Sequence, residues 1–372
     1  MARKLKSDRV LFVTTVLLVF VGVVMVYSAS AMMAQQKYHD GYHFLLRQVM
    51  WAALGLGALS LVMRVDYRVY RQPIVIWTTL GIVCLGLMAV LLRAPINGTR
   101  RWFGFGGFGI QPSELAKLAI VLFTAALLEK RMARINDLRY ALVPVAIVAG
   151  LMVALILAEP DFGTSVSIVL VVGLMVIAAG LNWRYIVGCL LIAAPAVCLL
   201  IWLAPYRMRR FTIFLDPESD PRGDGFQILQ SLIAVGTGGV SGRGLMQGVQ
   251  KLFFLPEAHT DFIYAVIAEE LGLIGAALVL AAFVVIAWRG LRIASRAPDP
   301  FAAFIAIGLT GMVAVQALIN ISVVVALMPT KGIPLPFVSS GGSSLVIGLV
   351  GIGILLNVSQ HASTAHAVDG ER

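Results

Sequence analysis

Long apolar runs recur along this chain, at about 10–32, 45–63, 73–92, 112–128, 140–158, 163–180, 185–204, 262–288, 301–328 and 343–358. A helix needs about 20 apolar residues to cross the hydrocarbon core of a bilayer. Backbone polar groups find no water at that depth, so runs of this kind are read as helices that bond internally. The chain therefore reads as an all-α polytopic integral membrane protein with about ten transmembrane helices. The fourth, sixth and tenth runs are shorter or carry polar residues. Composition agrees: 59% of residues are hydrophobic and 13% charged, against about 25% charged in an average soluble domain. The first run follows Arg3, Lys4, Lys6 and Arg9. It is too long for a signal-peptide core and equivalent runs follow it, so it reads as a retained first helix.

Lys and Arg in short loops orient such a chain. With the N-terminus in the cytoplasm, the inner loops hold Arg64, Arg68 and Arg71, then Lys130, Arg131, Arg134 and Arg139, then Arg184, then Arg289, Arg292 and Arg296. The outer short loops hold only Lys37, Arg93, Arg100, Arg101 and Lys331. Both termini then lie in the cytoplasm, as an even helix count requires. A long outer segment, 205–261, adds Arg207, Arg209, Arg210, Arg222, Arg243 and Lys251. Its stretch Gly236–Gly244, GTGGVSGRG, lacks the Gly-Lys-Ser/Thr ending of a phosphate loop and reads as flexible loop. Residues 358–372 are polar and read as a disordered tail. The whole of 1–372 reads as one transmembrane domain.

Several function classes fall away. The net charge of +10 comes from short clusters between apolar runs, which does not suit nucleic acid. Cys84, Cys189 and Cys198 lie within apolar runs without redox or metal spacing. The histidines show no ligand spacing.

Ionisable residues in or beside membrane spans are costly, which makes each a functional candidate. Glu114 and Lys117 open the fourth run in QPSELAKL, and a spacing of three lets them pair. Asp161 in EPDFGT suits a helix N-cap. The segment LPEAHTDF packs Glu257, His259 and Asp261 into five residues before the eighth run. A carboxylate at such a boundary can serve as a general base or hold a divalent cation. Glu269 and Glu270 lie deeper and off the Asp261 face, as helix-packing residues. The last outer loop, Met328–Leu345, carries three prolines and paired glycines that forbid regular helix. Irregular backbone at membrane depth is tolerated where protein or a watery cavity covers it. Lys331, Ser339, Ser340, Ser343 and Ser344 would line that cavity. Lys331, Arg100, Arg101 and the Arg207–Arg210 group share this face, and such clusters suit phosphate oxygens.

These motifs in this order resemble the SEDS family (shape, elongation, division and sporulation). They are NGTRRW at Asn97–Trp102, QPSELAKL at Gln111–Leu118, EPDFGT at Glu159–Thr164, LPEAHTDFIYAVIAEELG at Leu255–Gly272 and PTKGIPLPFVSSGGSSL at Pro329–Leu345. The resemblance spans essentially the whole chain. PTKG at Pro329–Gly332 is similar to the division branch, and a sporulation branch shares it. Ser340 stands where the family commonly has Tyr.

The resemblance implies polymerisation of lipid II, a lipid-linked disaccharide-pentapeptide, into β-1,4 glycan on the outer face of the bacterial plasma membrane. It implies an essential carboxylate at Asp261. It also implies a class B penicillin-binding protein as transpeptidase partner, with septal activator proteins at the division septum. An α-linked donor and a β product call for inverting displacement of undecaprenyl pyrophosphate. Asp261 is then expected as base or as ligand of a Mg or Mn ion. Arg101, Arg210 and Lys331 are expected on the pyrophosphate, Glu114 and Lys117 on the cavity floor, and Glu257, His259, Ser339 and Ser343 near substrate. Two other readings share part of the pattern. A lipid II flippase would need a midplane site and paired broken helices. A scaffold for a transpeptidase would leave the outer carboxylate and arginines without a task.

Overall fold

Capping side chains and prolines divide the apolar runs into helices. Asp8 accepts the Leu11 N–H at 3.0 Å and starts α1 (Arg9–Tyr38). After α2 (His43–Val62), Pro73 opens α3 (Pro73–Leu91). A small hairpin of β1 (Phe103–Phe105) and β2 (Phe108–Ile110) precedes Pro112 and α4 (Pro112–Arg131). There follow α5 (Val143–Ala158), α6 (Phe162–Ala178) capped by Asp161, and α7 (Trp183–Trp202) capped by Asn182. Then come α8 (Pro205–Leu215), α9 (Phe226–Gly238), α10 (Ile263–Ser295), α11 (Pro300–Val324) and α12 (Gly342–Asp369). This computed structural model describes residues 7–93, 100–105, 108–221, 223 and 225–369, without the side chains of 105, 108 and 363–369. Residues 97–99 of the NGTRRW motif therefore lie outside the described residues.

Among the described residues, eight helices are long and apolar enough to cross a membrane. Two of the ten expected spans fall short of that measure for visible reasons. Helix α4 carries Glu114, Lys117, Glu129, Lys130 and Arg131, and α6 has 17 residues. Both pack against neighbouring helices, though α6 leaves Val169, Leu170 and Ile177 exposed. Helix α11 packs against α4, α6 and α10, and α12 packs against α2. Helix α4 is buried along most of its length, whereas α7 buries none of its residues and leaves Leu191, Ile192 and Trp202 exposed. Charge thus sits where neighbouring helices can partner it, and apolar side chains face outward, as lipid requires.

Three expectations need correction. The 205–261 segment is not a plain loop, because it holds α8 and α9. Nor is Gly236–Gly244 flexible. Helix α10 breaks at Gly272 (φ 66, ψ −167), about 14 Å beyond its start at 1.5 Å per residue. The Glu269 and Glu270 carbonyls freed there accept the Arg243 and Gly244 N–H groups respectively, each at 3.0 Å. Leu273 and Ile274 donate in turn to the Gly239 and Val240 carbonyls. A Cβ on Gly242 or Gly272 would stand 2.1–2.3 Å from opposing backbone atoms, and both have positive φ, so glycine alone fits. Four bonds across the break thus take the place of helical ones, and backbone at membrane depth requires such partners.

The tail also departs from expectation. Helix α12 runs on to Asp369, with Val358, Ser359 and Ala362 buried. Just before that stretch, Asn357 donates to the Met63 carbonyl and accepts the Tyr67 N–H, both at 2.9 Å. Residues 370–372 lie outside the described residues.

Candidate active site

The outer ends of the helices enclose a cavity of about 330 Å³, lined in part by Arg101, Asp161, Phe162, Arg210, Lys331 and Gly332. Backbone carbonyls position the two arginines, and an aromatic ring the lysine. Arg101, leading into the β1–β2 hairpin, donates from Nε to the Glu159 carbonyl at 3.0 Å and from a terminal nitrogen to the Pro160 carbonyl. Arg210 on α8 donates to the Thr330 carbonyl at 3.4 Å. Lys331 places Nζ 4.5 Å from the centre of the Phe162 ring. Burial pushes the Lys331 ammonium below the usual lysine range. It makes no ion pair among the described residues.

Asp261 does not itself line this cavity; its carboxylate lies behind Gly332, which does. A Cβ at Gly332 would lie 3.1 Å from Asp261 Oδ2, so the missing side chain is what admits the carboxylate. An N-cap role is excluded: α10 starts at Ile263, and its N-cap Phe262 offers no side-chain bond. No described residue donates a hydrogen bond to the Asp261 carboxylate. Burial and the neighbouring Glu257 charge push it up to about 7, against the opposing pull of Arg210 and Arg101.

The other expected residues divide into builders and bystanders of this cavity. Glu114 and Lys117 pair at 2.9 Å, each about 6% exposed, and neither lines the cavity. Lys117 Nζ donates to Gln316 Oε1 at 2.6 Å, and Gln316 Nε2 donates to the Pro334 carbonyl at 2.9 Å. The buried pair thus supports the last outer loop from below. Ser339 does not face the cavity, because its hydroxyl accepts the Leu335 N–H and donates to the Thr260 carbonyl. Ser343 is likewise buried and accepts the Gln111 N–H at 3.3 Å. Glu257 and His259 make no bond to Asp261. Glu257 accepts the Thr260 hydroxyl at 2.8 Å. The His259 ring packs 4.7 Å from that of Phe44, and burial holds its pKa below the ordinary histidine value.

The outer basic residues also separate. Arg209 pairs with Asp220, Arg243 with Glu269, and Lys251 with Glu270. Arg100 donates to the Leu91 carbonyl, away from the cavity. Asp161 is the expected N-cap, accepting Thr164 N–H at 3.1 Å, and it also accepts Gln111 Nε2 at 3.0 Å. Glu159 is fully buried with neither carboxyl oxygen partnered among the described residues. Burial pushes its carboxyl up to about 8, which leaves it neutral at pH 7.

Sequence reasoning overlooked two amides of α11. Asn320 Nδ2 donates to the carbonyls of both Asp261 and Ile333, each at 2.8 Å. Together with Gln316 it clasps the Asp261 segment and the last outer loop to one helix face. The available signal was two amides four residues apart in an otherwise apolar run, a spacing that places them on one face.

Among the described residues, no three His, Cys, Asp or Glu side chains converge in a way that could hold a metal ion. Asp261 offers one carboxylate under the influence of Arg101 and Arg210. A divalent cation held by this single carboxylate would take its remaining oxygens from substrate phosphate and water, as Mg commonly does.

Residues 8–364 match a family described as cell cycle protein, comprising FtsW, RodA and SpoVE. The chain is 44% identical over 359 residues to a probable peptidoglycan glycosyltransferase FtsW of Geobacter metallireducens, covering 95% of each chain. It is 43% identical over 365 residues to stage V sporulation protein E of Bacillus subtilis, covering 97% of this chain and 99% of that one. Among solved structures it matches a chain of a peptidoglycan synthase complex, described as coordinating polymerization and crosslinking. That match has a TM-score of 0.80 and 32% identity, over 96% of this chain and 99% of the other.

Proposed function

The chain belongs to the FtsW–RodA–SpoVE family, and from that premise we propose how its outer cavity carries out glycan polymerisation. The protein is a multi-pass membrane peptidoglycan glycosyltransferase. The acceptor is lipid II, and the donor is the growing chain linked to undecaprenyl pyrophosphate. The acceptor 4-hydroxyl attacks the donor anomeric carbon, the C–O bond to pyrophosphate breaks, and the configuration inverts from α to β. Asp261 takes the hydroxyl proton. Arg101, Arg210 and Lys331 receive the charge that develops on the leaving pyrophosphate.

The observation that carries this reading is a carboxylate without a hydrogen-bond donor beside a cavity lined by three cations. A base needs a pKa near the operating pH, and Asp261 has one at about 7. The three cations bring positive charge to the pyrophosphate oxygens. Glycan assembly by this route needs a crosslinking partner, for which a class B penicillin-binding protein, an FtsI-like transpeptidase, is proposed from the synthase-complex likeness. Septal activator proteins and a site at the division septum complete the proposal.

The test is polymerisation of lipid II already on the accessible side, by protein purified with its transpeptidase. Asp261→Asn protein should insert and assemble normally and yield no glycan. Near-normal product from that variant would remove Asp261 from the chemistry. A flippase or scaffold would make no glycan even with the unsubstituted chain. A sporulation role is the second reading, since the chain is 43% identical to stage V sporulation protein E and 44% identical to the FtsW of Geobacter metallireducens. A fluorescent fusion decides between the two, since a septal glycosyltransferase gathers at midcell during vegetative growth.

A further inference from the structure

A second cavity, of about 480 Å³, opens at the end of α10 opposite Asp261, where the start of α1 meets α10 and α12. Four arginines line it, Arg9, Arg289, Arg292 and Arg296, against one carboxylate, Asp8. Asp8 is already committed. Its Oδ1 accepts the Leu11 N–H, and its Oδ2 accepts Arg289 through Nε at 2.8 Å and a terminal nitrogen at 2.5 Å. Its backbone N–H donates to Ser359 Oγ at 3.0 Å. These bonds tie three helices together and fix Arg289 as a wall of the cavity. Arg9, Arg292 and Arg296 form no ion pair with a carboxylate among the described residues. Like charges around one cavity repel, and an anion bridging them relieves that repulsion.

The surroundings specify the anion. Trp288 on α10 is 56% exposed, and the guanidinium carbons of Arg289 and Arg292 lie 5.6 and 5.9 Å from its ring centre. An exposed Trp near a helix end marks headgroup depth. Val10, which lines the cavity, and Phe12 and Val13 beyond it are exposed apolar residues on α1. An anion held here therefore sits at the level of lipid headgroups, beside apolar surface that acyl chains can cover. The charge rule places this end in the cytoplasm, where the leaflet is rich in anionic lipid and basic pockets between helices take such headgroups. We propose that this cavity binds the phosphate of an anionic phospholipid of the cytoplasmic leaflet. Arg9, Arg292 and Arg296 take the phosphate oxygens, and the Asp8–Arg289–Ser359 arrangement holds the wall. The site lies far from Asp261 and is independent of the chemistry there.

The experiment uses the full chain, delipidated in neutral detergent and titrated with phosphatidylglycerol or phosphatidylcholine. Bound lipid is read by native mass spectrometry and its effect by thermal unfolding. Phosphatidylglycerol should be retained and should raise the unfolding temperature, while phosphatidylcholine does neither. Arg292→Gln/Arg296→Gln should weaken phosphatidylglycerol retention by at least about tenfold, since each basic residue near a membrane surface contributes appreciably. Its lipid-free unfolding temperature and its glycan yield in neutral detergent should stay unchanged. Undiminished retention in that variant, or equal retention of phosphatidylcholine, overturns the proposal. Equal stabilisation by inorganic phosphate assigns the cavity to free phosphate and overturns it as well. Should the double variant fail to fold, Arg9→Gln carries the same readout with the same two outcomes.

Discussion

Two carboxylate sites stand eight and nine residues apart along one segment, and the protein treats them in opposite ways. Glu270, fully buried, accepts Lys251 Nζ at 2.6 Å, Ser28 Oγ at 2.7 Å and Met246 N–H at 2.9 Å. Glu269 accepts the Val249 and Gln250 N–H groups and pairs with Arg243. Asp261 has its backbone clasped by Asn320, while its carboxylate has no hydrogen-bond donor among the described residues. The satisfied carboxylates hold the glycine-rich segment in the break of α10. The unsatisfied one keeps its lone pairs for a substrate proton, at a cost in desolvation that raises its pKa. Number of partners, rather than burial alone, separates the builder from the base.

The largest test of that contrast exchanges the consequences of neutralisation at the two sites. Asp261→Asn should lower polymerisation by about 10²–10⁴-fold or more, the usual contribution of general acid–base catalysis, and leave thermal stability intact. Glu270→Gln should do the reverse in kind. It strands the Lys251 ammonium, and breaking a buried pair by removing one partner costs about 3–5 kcal/mol. Detergent-solubilised protein should then unfold at markedly lower temperature. Glu270→Leu with Lys251→Met should recover much of that loss, because a matched apolar pair carries no stranded charge. A stable Glu270→Gln protein would break the distinction.

A smaller effect is expected at the clasp. Asn320→Leu removes both donors to the Asp261 and Ile333 carbonyls. Misplacement of a catalytic group by about 1 Å can cost about 10²-fold in rate. Asn320→Leu should therefore lower kcat by up to about that factor, with KM for lipid II changed less. A fall in KM-dependent binding alone would place Asn320 in substrate recognition instead.

The limits of what the sequence shows follow the same division between local and distant partners. The apolar runs were legible because lipid-facing length and polarity are properties of a continuous segment. The Glu114–Lys117 pair and the Asp161 cap were legible because their partners lie three residues away. Gly236–Gly244 was misread because its hydrogen-bond partners are the Glu269 and Glu270 carbonyls across the break. The 358–372 stretch was misread for a similar reason, since Ser359 accepts the N–H of Asp8, the N-cap of α1. At the cavity, sequence grouped all outer cations together. Only the fold shows that Arg209, Arg243 and Lys251 are committed to carboxylates while Arg101, Arg210 and Lys331 face the cavity.

The finest probe of Asp261 is its titration, and here the sign follows from its neighbours. Its pKa is raised from the ordinary aspartate value to about 7, so the carboxylate is mostly protonated below that pH and ionised above it. A base must be ionised, so kcat/KM for lipid II should rise with pH through an acidic limb near 7 and then level off. Glu257 raises the pKa of Asp261 through its charge without touching it. Glu257→Gln removes that charge and should move the acidic limb to lower pH, with the plateau little changed. The shift should shrink as salt screens the interaction. A limb that stays in place would mean that burial alone sets the Asp261 pKa. An upward shift would contradict the base assignment, since removing a nearby negative charge cannot make a carboxylate harder to ionise.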